Sequence, residues 1–153
     1  MAVVCTSPND VIVHGIPSDS VVLAEGDILS IDCGAIIQGW HGDAAFTAPV
    51  GQVSEEAAKL IKVTEESLYA GIDQMVDGNR ISDIGHAVQT VAEAAGFSVV
   101  REYVGHAIGT AMHEKPEIDR SWTTVWKPLE PEARRVAGMV MRVRGAQRSS
   151  CAA

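Results

Sequence analysis

The order of apolar and polar positions divides the chain into a β-rich opening, a helical middle and a β-rich stretch after residue 97. Val11-Ile12-Val13-His14 is a short β run that ends where Gly15-Ile16-Pro17 imposes a turn, so His14 is expected at a strand end. Two longer runs, Asp27 to Ile36 and Trp40 to Val50, flank Gln38-Gly39 and predict an antiparallel hairpin. Ser54 ahead of Glu55 and Glu56 has the chemistry of a helix start, a hydroxyl for free amides and acids for the positive end. Ala57, Leu60, Ile61, Leu68, Ile72 and Met75 then predict the apolar face of a helix over 54–76. A second helix opens near Ser82, repeats Ile84, Val88, Val91 and Ala95 at helical spacing, and closes at Gly96.

From Phe97 to Val104 the residues favour strand again, and His106 falls just beyond, on a loop set by Gly105 and Gly109. The pattern changes after Ile118. Five of the eight arginines lie between Arg134 and Arg148, and neither helical nor strand periodicity persists there. Residues 1–118 are therefore expected to form one partial domain. Residues 119–153 are expected to be a tail that is out of frame or otherwise unrelated to the rest and that packs poorly.

The hairpin carries the first candidate chemistry. With its centre between Ile37 and Gln38, Asp32 faces Asp43 directly, and like charges placed so on a sheet repel unless a cation lies between them. Two solvated acids on an open hairpin face are the plain alternative. His106 is a candidate third ligand for a borderline metal such as Mn, Fe, Co or Zn, while His14 and His113 also end in loops. His41, beside the hairpin turn, and His86, inside a helix, are read as structural.

Composition narrows the function classes. A net charge of −8 opposes phosphate-backbone binding, so no nucleic-acid partner is expected. Cys5, Cys33 and Cys151 lack CxxC spacing and suit free thiols in the cytoplasm. No stretch is apolar enough for a membrane span, and the first ten residues lack the features of a secretory signal, so no membrane partner is expected. A monomer is expected.

Several motifs occur together in order: Cys5-Thr6-Ser7-Pro8-Asn9-Asp10 with His14-Gly15-Ile16-Pro17, Gly26-Asp27, Ile31-Asp32, His41-Gly42-Asp43, Gly78 to Ile84, Gly105-His106, and His113-Glu114-Lys115-Pro116. Over residues 3–118 this set resembles the type I methionine aminopeptidases, and is incomplete at both ends. The resemblance implies an α/β (α+β) pita-bread fold, a curved antiparallel sheet with helices on its outer face. It implies metal-dependent removal of the initiator methionine, with N-terminal methionyl peptides of nascent chains, near the ribosome, as partners. It further implies two divalent ions held by Asp32, Asp43 and His106, with His14 and His113 as catalytic and substrate-holding histidines and Cys5 and Met112 lining the methionine pocket.

The chain departs from that family at Ala107, where glycine is usual, and at Met112, where phenylalanine is common. Two further ligands of the family are glutamates beyond residue 118. Laying Gly138-Met139-Val140 on the strand that carries the first puts Arg144 at the glutamate's place. A proline-specific pita-bread peptidase and a non-catalytic peptide- or protein-binding module of the same fold remain as alternatives.

Overall fold

The computed structural model describes residues 4–118 and the backbone of 143–144. The expected tail, 119–153, otherwise lies outside the described residues. In chain order the elements are β1 (Val4–Pro8), β2 (Ile28–Ile37), β3 (Trp40–Pro49), α1 (Glu55–Ile72), α2 (Ile81–Ala94), β4 (Ser98–Val99), β5 (Gly105–Ala107), β6 (Glu114–Ile118) and β7 (Val143–Arg144). β1, β2 and β3 make an antiparallel sheet in that order, and β5–β6 and β4–β7 are separate antiparallel pairs. Arg144 pairs with Ser98 through the backbone.

Three readings of the β segments need correction. The first strand is β1, and residues 11–14 form no strand. Both segments favour extended backbone, but only β1 finds a partner, with Cys5 opposite Asp32 and Ser7 opposite Ser30. Asn9, at φ 48°, turns the chain away, and the backbone of Gly15 then returns to accept a hydrogen bond from Thr6 at 2.8 Å. His14 therefore sits in a returning loop with φ 59° rather than at a strand end. The run from 97 to 104 contributes only the two residues of β4, since beyond Val99 no strand among the described residues pairs with it. His106 belongs to β5 rather than to a loop, because its backbone pairs opposite Glu117 of β6.

The hairpin forms where expected but in a shifted register. Gln38 and Gly39 both adopt positive φ, 52° and 83°, which is the two-residue turn whose twist suits a hairpin. That moves the centre to between Gln38 and Gly39, so Asp32 faces Ala45 and Asp43 faces Gly34. Because the shift amounts to two residues along β3 and side chains alternate with period two, both aspartates stay on one face.

The two helices form close to their expected bounds. Ser54 accepts a hydrogen bond from the Ala57 amide at 3.1 Å, and the Asp83 carboxylate accepts one from the Arg80 amide at 2.8 Å. The buried stripe of α1 is Val63, Ser67 and Gly71, whereas Ile72, expected on that stripe, is 42% exposed. The core lies between the helices: Val63 packs with Ala92, Phe97 and Val99, while Ile84 and Val88 of α2 meet Leu68 and Met75. No helix among the described residues is long and apolar enough to cross a membrane.

Ile84 is 1% exposed, so Ile84→Ala is expected to destabilise the protein by about 2–5 kcal/mol, a transfer loss plus a cavity. Val22→Ser, at a position 84% exposed, should stay within about 0.5 kcal/mol of the parent. Urea denaturation followed by far-UV circular dichroism distinguishes the two.

Candidate active site

Five segments, among them the returning loop that carries His14, deliver polar side chains to one open cavity of about 480 Å³, lined among others by His14, Asp32, Asp43, His106 and His113. β2 and β3 supply the aspartates on their common face, β5 supplies His106, and the turn leading into β6 supplies His113. The His106 and His113 rings lie 4.2 Å apart between centroids, inclined at 46°. A register irregularity between His106 and Ala107 interrupts the β5–β6 ladder, the kind of local bend that re-aims a side chain.

The electrostatics of the aspartates follow from this packing. Burial, the neighbouring charge of Asp32 and a hydrogen bond shared with its carboxyl push Asp43 above the usual carboxylate range, and His106 and His113 oppose the shift. Asp43 Oδ2 lies 3.9 Å from His106 Nε2, with the two side chains only 12% and 17% exposed. That separation is too long for a hydrogen bond. The other ring nitrogen, Nδ1, is 3.1 Å from the Ala107 carbonyl oxygen. A carbonyl only accepts, so that contact makes Nδ1 the donor and turns Nε2 toward Asp43.

Two abutting carboxylates beside an imidazole nitrogen are an arrangement that a proton or a cation compensates. The donor set, two carboxylate oxygens and a neutral imidazole, fits a divalent cation in its chemistry. The donors meet at one cavity without closing on a point. Among the described residues, no three His, Cys, Asp or Glu side chains are arranged as an ion cage.

The remaining predicted residues are placed less centrally. Cys5 stands beside Asp32 across the β1–β2 pair, and the Met112 methyl presses on the backbone of Gly34, where a Cβ would come within 2.7 Å of it. Neither belongs to the cavity lining given above. His86 lies on the exposed side of α2. His41 lies on β3, its amide donating to the Gly109 carbonyl at 2.7 Å and its Nδ1 buried without a hydrogen-bond partner. Glu102, Tyr103 and Lys115 also line the cavity, and the sequence reading passed over them. A strand over 97–104 would turn alternate residues away, and only the irregular backbone after Val99 brings consecutive residues Glu102 to Gly105 to the same cavity.

Comparison with known proteins supplies the context. A family model described as metallopeptidase family M24 matches residues 1–144. The methionine aminopeptidase of Clostridium acetobutylicum is 57% identical over 117 residues, 76% of this chain and 47% of that protein. Methionine aminopeptidase 1 of Bacillus subtilis is 49% identical over 140 residues, 92% of this chain and 54% of that protein. The chain thus spans about half the length of the curated relatives it matches. The crystal structure of methionine aminopeptidase from Rickettsia prowazekii superposes with a TM-score of 0.78 at 41% identity, covering 83% of this chain and 51% of that one. Prolidase from Pyrococcus furiosus superposes with a TM-score of 0.70 at 22% identity, over 82% of this chain and 38% of that one, a likeness of fold alone. The mixed helix-and-antiparallel-sheet architecture is that of the pita-bread fold.

A carboxyl whose folded pKa is raised contributes stability below the unfolded value, 3.8, and that contribution is lost as pH rises through the folded pKa. At neutral pH the ionised Asp43 therefore opposes folding of the metal-free protein. Asp43→Asn is expected to raise the metal-free Tm at pH 7 by on the order of a few degrees, with the gain disappearing toward pH 4. Thermal scans across that pH range check the sign.

Proposed function

Because the chain belongs to metallopeptidase family M24, we propose that the protein removes the initiator methionine from new polypeptides. The observation that carries this reading is the meeting of Asp32, Asp43, His106, His14 and His113 at one cavity, in a chain 57% identical to a methionine aminopeptidase over the matched residues. In this reading Asp32, Asp43 and His106 hold two divalent ions, of Mn, Fe, Co or Zn. When bound, such ions supply Lewis acidity and lower the pKa of water.

The chain's own residues do the rest. Asp32 and Asp43 confine the positive charge to one face of the hairpin, and Nδ1 of His106, donating to Ala107, keeps the imidazole in the tautomer that presents Nε2. His113, stacked obliquely on His106, donates a hydrogen bond to the peptide oxygen as negative charge develops there. His14, which also lines the cavity, holds the substrate near the scissile amide. Cys5 and Met112 border the methionine side chain. The partners are N-terminal methionyl peptides of nascent chains, met near the ribosome by a cytoplasmic monomer. The free thiols Cys5 and Cys33 support that compartment.

The proline-specific alternative has less support, since proline-specific enzymes among the matching solved structures, such as the Pyrococcus furiosus prolidase, are 22% identical to this chain. A non-catalytic module of the same fold has no use for carboxylates held in mutual contact. Residues 119–142 and 145–153 lie outside the described residues, and the match of the family model runs through the first of these stretches to residue 144.

Two measurements test the function. Residues 1–118 joined to the remaining half of the Bacillus subtilis relative should release methionine from a Met-Ala-Ser peptide with Mn, Co or Fe. Asp43→Ala should reduce that rate by at least about 100-fold, as expected when a group that holds the catalytic ion is lost. Preference for a peptide with proline in second place would support the proline-specific alternative instead.

A further inference from the structure

We propose that Glu114 is a positioning residue, whose carboxylate fastens the turn over residues 109–113 and thereby fixes the His113 ring against His106. The evidence is a set of contacts around one side chain. Glu114 Oε1 accepts from the Ala111 amide at 2.8 Å and from the Thr110 hydroxyl at 3.2 Å. The other oxygen, Oε2, lies against Gly109, 2.8 Å from where a Cβ would stand. Within the turn the Gly109 amide donates to the Ala111 carbonyl at 3.1 Å. The residue that carries the candidate catalytic ring is thus followed at once by the one that closes the turn leading to it.

The fastened turn is also tied to the hairpin that bears the aspartates. The His41 amide, two residues before Asp43, donates to the Gly109 carbonyl at 2.7 Å. Met112, next to His113, presses on Gly34, the residue paired with Asp43. Both ends of the turn are therefore referenced to β2 and β3 on either side of Asp43, and Glu114 holds the segment between them in shape. The Ala111 amide holds the Glu114 carboxyl below its usual range, with His41 adding to the effect in a minor way, so the acceptor stays ionised across the neutral range. A Cβ at 109 would take the carboxylate's place, so a side chain there displaces the flexible end of Glu114.

The consequence for catalysis rests on the reading of His113 given above, but the positioning is measured without turnover. In the full 153-residue chain, the nuclear Overhauser effect between the His106 and His113 ring protons reports their contact. Glu114→Ala should abolish it while amide signals of α1 and α2 persist. Glu114→Gln, which keeps an acceptor oxygen at the same place, should restore it. Gly109→Ala, which displaces the carboxylate without removing it, should also abolish it, and this variant carries the test if Glu114→Ala fails to fold. The proposal is overturned if the ring contact survives in Glu114→Ala or in Gly109→Ala, or if Glu114→Gln loses it as completely as alanine does. Because methionine release plays no part in this readout, a failure here leaves the peptidase reading standing, and the converse also holds.

Discussion

The register of the β2–β3 hairpin is the constraint on which the site depends. Gln38 and Gly39 adopt φ of 52° and 83°, and this two-residue turn fixes every pair below it, down to Ile28 opposite Pro49. A shift of one residue would send Asp43 to the far face and leave Asp32 alone. A shift of two preserves the common face but changes which neighbours each carboxylate meets. In the observed register Asp43 faces Gly34, which has no side chain to separate it from Asp32, its diagonal neighbour. The carboxyls come into contact, and the raised affinity of Asp43 for a proton follows from that geometry together with its burial.

The imidazoles are brought to this pair by a different kind of structure. β5 and β6 are short, and their ladder is interrupted at the residue that matters. Precision there comes from hydrogen bonds at individual atoms: His106 Nδ1 at the Ala107 carbonyl, the His41 amide at the Gly109 carbonyl, and Glu114 within its own turn. The aspartates are thus positioned by a regular ladder and the histidines by local polar contacts. A reacting group placed between them is addressed from two sides that the sequence separates by about sixty residues.

Those two modes differ in how well they can be read from sequence. The hairpin, both helices and the convergence of the acidic pair were legible because each rests on a short-range period or on turn chemistry. The turn centre was misplaced because Gln38 is not one of the residues that advertise positive φ, so only Gly39 carried the signal. The first strand was misassigned because Val4–Pro8 and residues 11–14 have similar propensity, and the choice was made by pairing with β2, a contact over more than twenty residues. On α1 the hydrophobic pattern favoured Ile72, but close packing against α2 selected Ser67 and Gly71, small residues that a hydrophobicity rule discounts. The residues that line the cavity from Glu102 to Gly105 depend on irregular backbone, for which no period exists.

The central sheet also inverts the usual arrangement of an antiparallel sheet, in which apolar residues face inward and polar ones face water. On its more covered face, Ser7, Ser30, Asp32, Asp43 and Thr47 follow one another, and Ser30 and Thr47 share a hydrogen bond of 2.9 Å. On the opposite face Phe46, directly across from Ile31, is 60% exposed. Ser7, at 1% exposed, is the sheet's one fully buried side chain among the described residues, while the apolar core gathers around α1 and α2. Burying hydroxyls and carboxylates where valines would be more stable is unfavourable unless each polar group is matched. The serines and the threonine find partners within the sheet and around its edge, Ser7 accepting from the Gly15 amide at 3.2 Å. Among the described residues the aspartates find each other and the imidazole side. An unmatched acidic pair on an otherwise satisfied polar face is what a cation-dependent hydrolase site requires, and the ladder that holds it does so without help from the apolar core.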